Sequence, residues 1–262
     1  MLTRRQAVAL SSTASLTRAV EKPFLIAHRG GVVGAEHAEN SPASVEAAIR
    51  RGYQMIEVDI RRTKDGRAIV QHDPTFERFF GVDRPVVDMS WEEIKNLRAT
   101  PGNTRPMDFA ELCARCHGRV RLMLDIKDEE FSDAFYADLD STLRRHNLLG
   151  SAYSLGGAEI KSFFKGKLKL SANRSDLKGA IGRREKVSDL YFLFELGSVL
   201  DEEAVALCRE HNVPPIAALN TFRYEMEKID HWQGARRDVA KLKGLGVNHF
   251  QIDSIYDSLL LG

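Results

Sequence analysis

The sequence lacks several features that would assign it to a common class of protein. Its three cysteines in 262 residues are an odd number and too few for a disulfide framework. No apolar run approaches the roughly 18 residues that a transmembrane helix needs, so we expect no transmembrane segment. The 38 basic and 37 acidic residues leave a net charge of +1. This balance provides no overall attraction to nucleic acid, which we do not expect as a partner.

Two of the cysteines belong to a motif with two interpretations. Residues 113–117 read Cys-Ala-Arg-Cys-His, which is the spacing of a c-type haem attachment site. Residues 107–116 also place apolar side chains at helical spacing, and a cysteine on such a face acts as a small hydrophobic residue. We favour the helix because the chain offers no obvious axial ligand for a haem.

The first 20 residues differ in character from the rest of the chain. Arg4 and Arg5 precede a short apolar run and a segment rich in serine and threonine, which resembles a Tat-type export signal. No clean Ala-x-Ala cleavage site follows, so a flexible or helical N-terminal arm is the alternative. A signal would direct the protein to the periplasm and an arm would leave it in the cytoplasm, so the location stays open.

From residue 22 to residue 262 short apolar runs alternate with amphipathic segments, as in repeated βα units. The first predicted strands cover residues 24–27 and 55–60, and the helix between them begins after Ser41 and ends at Gly52. Eight strands in a chain of this length predict an α/β fold consisting of a single (β/α)8 TIM barrel. The other six predicted strands are residues 121–127, 152–155, 167–172, 190–195, 215–219 and 249–253.

One segment interrupts the βα order. Residues 64–67 predict a hairpin turn into a short returning strand at residues 68–71. Residues 74–107 then contain four prolines and a small helix at residues 90–97, without a complete βα unit. We predict that residues 74–107 are a small insertion after the second barrel strand that partly covers the site.

Three carboxylates lie near the carboxyl ends of neighbouring predicted strands, where barrels place their reactive groups. Glu57 and Asp59 are two residues apart and face the same side of one strand, and Asp125 lies on the next parallel strand. Three such carboxylates cannot all stay ionised without a cation, so we predict one divalent cation, Mg2+ or Ca2+, with Mn2+ also suitable. The alternative is a salt-bridge network in which Glu57 and Asp59 pair with Lys127 and Arg29.

Two histidines accompany these carboxylates. His28 follows the first predicted strand, and His72 ends the returning strand of the hairpin. Imidazole titrates near neutral pH, so the two histidines are suited to act as a general acid and a general base. Asp73 is placed to orient or cap the loop at His72. Asp253 ends the last strand, which lies next to the first strand in a closed barrel.

Basic residues and glycines complete the pattern. Arg29 and Lys127 supply positive charge for the non-bridging oxygens of a phosphate. We expect Gly30 and Gly31 to let the backbone approach the ligand closely. Together with the histidines and the carboxylates, these residues predict metal-assisted proton transfer on a small-molecule or lipid-derived phosphodiester.

The order and spacing of these motifs resemble the glycerophosphodiester phosphodiesterase family, closely over residues 24–73 and more loosely over residues 85–127. The resemblance implies a barrel with an insertion after its second strand, and hydrolysis of glycerophosphodiesters to glycerol 3-phosphate and an alcohol. It implies these roles: His28 and His72 as the catalytic pair, Glu57, Asp59 and Asp125 as metal ligands, Arg29 and Lys127 at the phosphate, and Glu39, Asn40, Asp73 and Asp253 in support.

Two departures from the family pattern bear on the substrate. The family usually has Glu at the position of Asp125. Asp at this position resembles the related phospholipase D toxins. Ala217 replaces a Trp that in the family forms an apolar wall where glycerol would sit, so the resemblance implies a bulkier substrate. A phospholipase D-like enzyme would have a bulky apolar cleft near Ala217. The alternatives are therefore a phospholipase D-like enzyme acting on lysophospholipid or sphingolipid head groups, and a barrel that binds phosphodiesters without cleaving them. The leaving alcohol and the oligomeric state stay open.

Overall fold

The structure is a computed structural model that describes residues 22–127 and 132–261. Residues 1–20, for which the sequence predicts an export signal or an N-terminal arm, lie outside the described residues. Within the described ranges no helix has both the length and the apolar character to cross a membrane.

The described residues form twelve strands and twelve α-helices. The strands are β1 Phe24–Ala27, β2 Met55–Arg62, β3 Ala68–Val70, β4 Thr75–Phe76, β5 Val82–Pro85, β6 Met107–Asp108, β7 Arg121–Ile126, β8 Tyr153–Leu155, β9 Lys169–Ala172, β10 Tyr191–Leu196, β11 Pro215–Leu219 and β12 His249–Ile252. The helices are α1 Pro42–Arg50, α2 Glu77–Phe80, α3 Trp91–Ile94, α4 Phe109–Cys116, α5 Asp133–Arg145, α6 Ala158–Phe164, α7 Arg174–Gly182, α8 Val187–Leu190, α9 Glu202–Glu210, α10 Thr221–Met226, α11 His231–Gly244 and α12 Asp257–Leu260.

Eight of the strands close into a parallel barrel, which confirms the predicted fold class. Their order around the barrel is β1, β2, β7, β8, β9, β10, β11 and β12, and β12 pairs with β1. All eight neighbouring pairs are parallel. The carboxyl ends of all eight strands therefore lie on one face of the barrel, where side chains distant in sequence meet.

Two apolar clusters fill the barrel and its outer layer. The inner cluster lies within the ring of strands and consists of Ile26, Met55, Met123, Tyr153, Phe192 and Ile216. The larger outer cluster packs the other faces of the strands against the helices. Cys113 and Cys116 belong to this outer cluster on α4, as the helical pattern predicts, and burial raises the pKa of both thiols.

The insertion packs on an extension of the barrel sheet. After β2 the chain returns through the antiparallel β3, which in turn pairs with β6. Between them, β4 and β5 form a separate antiparallel pair beside α2 and α3. A small apolar cluster fixes these elements against β3, and its buried members are Ile69, Phe76, Val86, Met89 and Ile94.

Candidate active site

The closed barrel brings residues from both ends of the chain together around His28. His28 follows β1, and its backbone N–H donates to the carbonyl of Ile252 on β12 at 3.0 Å. Asp253 directly follows β12, and its Oδ1 lies 2.6 Å from His28 Nδ1. The other carboxylate oxygen of Asp253 accepts from the Thr221 amide at 2.6 Å and the Thr221 hydroxyl at 2.8 Å. Asp253 is therefore held from two sides.

This arrangement fixes the protonation pattern of the neutral His28 ring. A carboxylate can only accept, so Nδ1 carries the proton and Nε2 is left as the acceptor. Nε2 lies 3.4 Å from the amide nitrogen of Asn220, the residue after β11. Burial raises the pKa of Asp253, but His28 and Thr221 outweigh it and lower that pKa overall. Asp253 is thus ionised at neutral pH and oriented toward His28.

The three predicted metal ligands lie together. Asp59 is opposite Asp125 in the register of β2 and β7. One carboxylate oxygen from each of Glu57, Asp59 and Asp125 lies within 4.8 Å of the others. Glu57 and Asp59 are each 1% exposed. Glu57 accepts from the backbone amide of Arg29 at 2.8 Å, and Asp59 accepts from the Asn40 side chain at 2.8 Å.

Lys127 pairs with two of these carboxylates. Its Nζ lies 2.9 Å from Asp59 and 2.5 Å from Asp125. Of the salt-bridge network considered as the alternative to a metal site, the pair between Lys127 and Asp59 is present. Arg29 contacts Glu57 through its backbone amide and not through its guanidinium. In this arrangement the Lys127 ammonium is directed at carboxylates, so its predicted contact with phosphate stays a prediction.

The charges of this cluster fit a divalent cation. Burial raises the pKa of Glu57, and the neighbouring charges of Asp59 and Asp125 raise it further. Burial also acts to raise the pKa of Asp59, but Lys127, Asn40 and His72 together outweigh it and lower that pKa. The Lys127 ammonium therefore pairs directly with two carboxylates, and Glu57 is attracted to it only at longer range. Three clustered carboxylates with a net negative charge are the kind of oxygen ligands that Mg2+ or Ca2+ prefers.

A chain of ion pairs connects His72 to Arg29. His72 follows β3, and its Nδ1 lies 2.8 Å from Asp73 Oδ1. Asp73 accepts from Arg78 on α2, and Arg78 also donates to Glu39. Glu39 in turn accepts from the Arg29 guanidinium at 3.2 Å. The sequence pattern did not indicate Arg78, because it follows no barrel strand and lies in the insertion.

The two glycines after Arg29 pack directly against neighbouring backbone, and their predicted approach to a ligand stays a prediction. A Cβ on Gly30 would lie 2.6 Å from the Asn40 Cα, and a Cβ on Gly31 would lie 2.3 Å from the Ser44 carbonyl oxygen. Both residues have a positive φ, of 74° and 130°. Glycine therefore lets this loop lie directly against the start of α1, which places Asn40 beside Asp59.

A cavity of about 300 Å3 opens beside His28. Its polar side contains His28, Arg29, Glu39, Arg78 and Asp253. Its apolar side contains Val33, Phe222 and Ile255, and the last two are each 41% exposed, unusually high for large apolar residues. The three carboxylates of the metal cluster do not line this cavity.

The predicted apolar cleft at Ala217 is absent from the described part of the chain. Ile216 belongs to the inner cluster, and side chains alternate along a strand. Ala217 accordingly packs in the outer cluster with no exposed surface. A side chain at this position faces the helices, so its size does not shape the mouth of the barrel. The apolar wall of the cavity comes instead from the segments that follow β11 and β12, where Phe222 lies on α10 and Ile255 lies in a short 3-10 helix.

Sequence comparison relates residues 28–149 to a known family. The model of the glycerophosphoryl diester phosphodiesterase family matches residues 28–149, which include both histidines and all three carboxylates. These are 122 of the 262 residues, so the chain is similar to this family over just under half of its length.

Individual relatives show how far this similarity extends. A glycerophosphodiester phosphodiesterase of Caldanaerobacter subterraneus is 40% identical over 78 residues, covering 30% of this chain and 31% of the relative. The human lysophospholipase D GDPD1 is 36% identical over 69 residues, covering 26% of this chain and 21% of the relative. The chain thus aligns with less than a third of either relative's length.

A solved structure extends the likeness of fold over nearly the whole chain. The phosphodiesterase of Oleispira antarctica, solved in complex with its product sn-glycerol-3-phosphate, superposes with a TM-score of 0.72. It is 18% identical in sequence and covers 92% of this chain and 98% of its own. At this identity the superposition establishes the shared barrel alone.

Proposed function

We propose that the protein is a metal-dependent phosphodiester hydrolase that converts glycerophosphodiesters to glycerol 3-phosphate and an alcohol. One observation carries the proposal: two histidines, each paired through Nδ1 with an aspartate, lie at the same barrel mouth as three clustered carboxylates. The relatives that bear the phosphodiesterase name support it.

The two histidines would exchange protons with the substrate. With Nδ1 bonded to Asp253, His28 offers its Nε2 to the reacting groups, and His72 has the same arrangement with Asp73. One imidazole would take the proton of the attacking hydroxyl, of water or of the substrate itself. The other would give a proton to the departing alkoxide. The paired aspartates would stabilise each imidazolium as it forms.

The remaining charges would hold the phosphate. Arg29 lines the cavity beside His28, and its guanidinium would bind non-bridging oxygens of the diester. Glu57, Asp59 and Asp125 would hold Mg2+ or Ca2+. When bound, such an ion neutralises the charge that develops on the phosphoryl oxygens. Asn40 orients Asp59, which keeps the ligand set in place.

A second candidate substrate class is lysophospholipid, hydrolysed by the same residues. The apolar side of the cavity, formed by Val33, Phe222 and Ile255, offers a surface for a hydrocarbon substituent. The human relative that bears the name lysophospholipase D is consistent with this choice. A sphingolipid head group would present the same phosphodiester to the same histidines.

One experiment tests these proposals together. The purified protein is treated with EDTA, and Mg2+, Ca2+ or Mn2+ is added back. Turnover is then measured on glycerophosphocholine, glycerophosphoethanolamine and lysophosphatidylcholine, with product detection for glycerol 3-phosphate and lysophosphatidate. We expect EDTA to abolish turnover and at least one ion to restore it. No turnover of any of the three with any ion would refute the hydrolase and favour a binding barrel.

A further inference from the structure

We propose that Arg78 is a positioning residue that holds His72 and Arg29 in their working orientations through Asp73 and Glu39. Arg78 lies on α2 in the insertion, so this role makes the insertion a part of the active site. The inference rests on the proposed function, because it assigns Arg78 to the machinery of that reaction.

The Arg78 guanidinium is almost fully engaged by two carboxylates. Its Nε donates to Asp73 Oδ2 at 2.6 Å, and its Nη2 donates to Asp73 Oδ1 at 3.0 Å. Its Nη1 donates to Glu39 Oε2 at 3.1 Å, and Nη2 also donates to Glu39 Oε1. These four bonds leave one of the five N–H donors of a guanidinium for any other partner. Bidentate binding of a phosphate by Arg78 is therefore not available in this arrangement.

Each carboxylate that Arg78 holds contacts a proposed functional group on its other side. Asp73 contacts the His72 ring at 2.8 Å, and Glu39 accepts from the Arg29 guanidinium at 3.2 Å. Arg78 therefore stands between the imidazole and the phosphate-binding cation, one carboxylate away from each. Displacement of Arg78 would release both groups at once.

Electrostatics explains why the position needs a cation. Ligating atoms of Glu39, His72 and Asp73 lie within 4.8 Å of one another. The Glu39 side chain is only 6% exposed, so water cannot compensate its charge. Without Arg78 the two carboxylates would repel each other, and Asp73 would be free to rotate away from His72. Burial acts to raise the pKa of Asp73, but Arg78 and His72 outweigh it and lower that pKa, which is consistent with the pairing.

The insertion fixes where the guanidinium lies. Phe76, next to α2, is fully buried, and its ring meets Phe80 edge-on with centroids 5.4 Å apart. The Arg78 guanidinium lies over the Phe79 ring, 4.3 Å from its centroid. A short helix packed in this way holds a side chain more firmly than an open loop would.

Substitution at Arg78 tests the proposal, with Arg84 as a matched control on the same insertion. Arg84 pairs with Glu93 at the surface, away from the cavity. On glycerophosphocholine we expect R78Q to lower kcat/KM about 100-fold, because a small misplacement of a catalytic group has this effect. R78K keeps the positive charge but lacks the planar set of guanidinium donors, so its kcat/KM should lie between those of R78Q and wild type. R84Q should stay within about twofold of wild type, and thermal melting verifies that each variant folds.

Two further measurements separate positioning from direct substrate contact. If Arg78 acts through its carboxylates, then R78Q added to D73N and E39Q together should lower activity by less than about threefold. Millimolar methylguanidinium should restore R78A by at least about tenfold. A multiplicative loss in the triple variant, no rescue by methylguanidinium, or an unaffected R78Q would each overturn the proposal. An inactive wild type would refute the proposed hydrolase instead.

Discussion

Replacement of Glu57 by Gln should stabilise the metal-free protein and abolish its response to metal. Glu57 is buried and lies within 4.8 Å of two other carboxylates, and Lys127 pairs directly only with those two. The Gln side chain has nearly the same shape and keeps an oxygen to accept from the Arg29 amide. The substitution therefore removes one negative charge and little else.

The size of the effect follows from the distances. At 4.8 Å two like charges repel by about 3.5 kcal/mol when the effective dielectric constant is about 20. Lys127 opposes part of this repulsion, and protonation of Glu57 relieves part of the remainder. We expect a net gain in the free energy of unfolding of about 1–3 kcal/mol for E57Q, or about 2–12 °C in Tm for a domain of this size.

The gain should depend on pH with a defined sign. The pKa of Glu57 is raised in the folded protein, so the cost of ionisation is absent below its unfolded pKa of about 4.3 and grows as pH rises. The difference in Tm between E57Q and wild type should therefore be small near pH 4 and larger near pH 8. Saturating Mg2+ or Ca2+ should raise the Tm of wild type by about 5–11 °C at 100-fold excess over Kd, and should have little effect on E57Q.

Differential scanning calorimetry of EDTA-treated protein measures both effects, with E111Q as a control of opposite sign. Burial acts to raise the pKa of Glu111, but Arg105 and Arg115 outweigh it and lower that pKa. E111Q should therefore lower Tm near neutral pH, by an amount that shrinks as pH falls through the folded pKa. A metal-free E57Q that melts below wild type at pH 8, or that retains the full metal shift, would refute this reasoning.

Two predictions concern the proposed acid/base residues. Either H28A or H72A should lower kcat on glycerophosphocholine by about 10^2–10^4-fold, as expected for a lost general catalyst, and near-normal turnover in both variants would contradict the two-histidine scheme. D253N should lower kcat by about 10–150-fold, because a hydrogen bond to a charged group contributes about 1.5–3 kcal/mol. T221V, which keeps the backbone donor to Asp253 and removes the hydroxyl, should lose less than about fivefold. Equal losses in D253N and T221V would mean that Asp253 acts by fixing its loop and not by its charge.

The architecture could be predicted from local patterns. Each buried strand is a short apolar run, and its carboxyl end is marked by a polar or charged residue such as His28, Asp125 or Asp253. The parallel order then follows because βα units connect strands in one direction. Predicted and observed strand limits differ by at most two residues, since the edges of apolar runs are clear in this chain.

A search for polar residues directly after each barrel strand would have found two further residues of the site. Asn220 and Thr221 directly follow β11, and they contact His28 and Asp253. Asn and Thr are common after strands of any function, so these two residues stand out only when the structure places them beside His28 and Asp253. Arg78 could not be found by this search, because it lies on the four-residue helix α2 in a segment without βα periodicity.

One expectation failed for a reason of strand geometry. A substitution at position 217 was expected to open the site, but one residue along a strand changes the face to which a side chain points. Ala217 faces the helices, whereas Ile216 lies in the inner cluster. The apolar wall of the cavity belongs to Phe222 on α10 and Ile255 in the 3-10 helix after β12, and the strand pattern gives no indication that these two segments meet.

The sequence by itself determined the barrel, the family resemblance and the inventory of acidic, basic and imidazole groups, because these depend on short apolar runs and on short motifs. Tertiary structure alone decided how the charges pair. Closure of β12 onto β1 brings Asp253 to His28, and the packed insertion brings Arg78 to Asp73 and Glu39. Charge pairing depends on distances of a few ångströms between segments far apart in the chain, and only the folded barrel sets those distances.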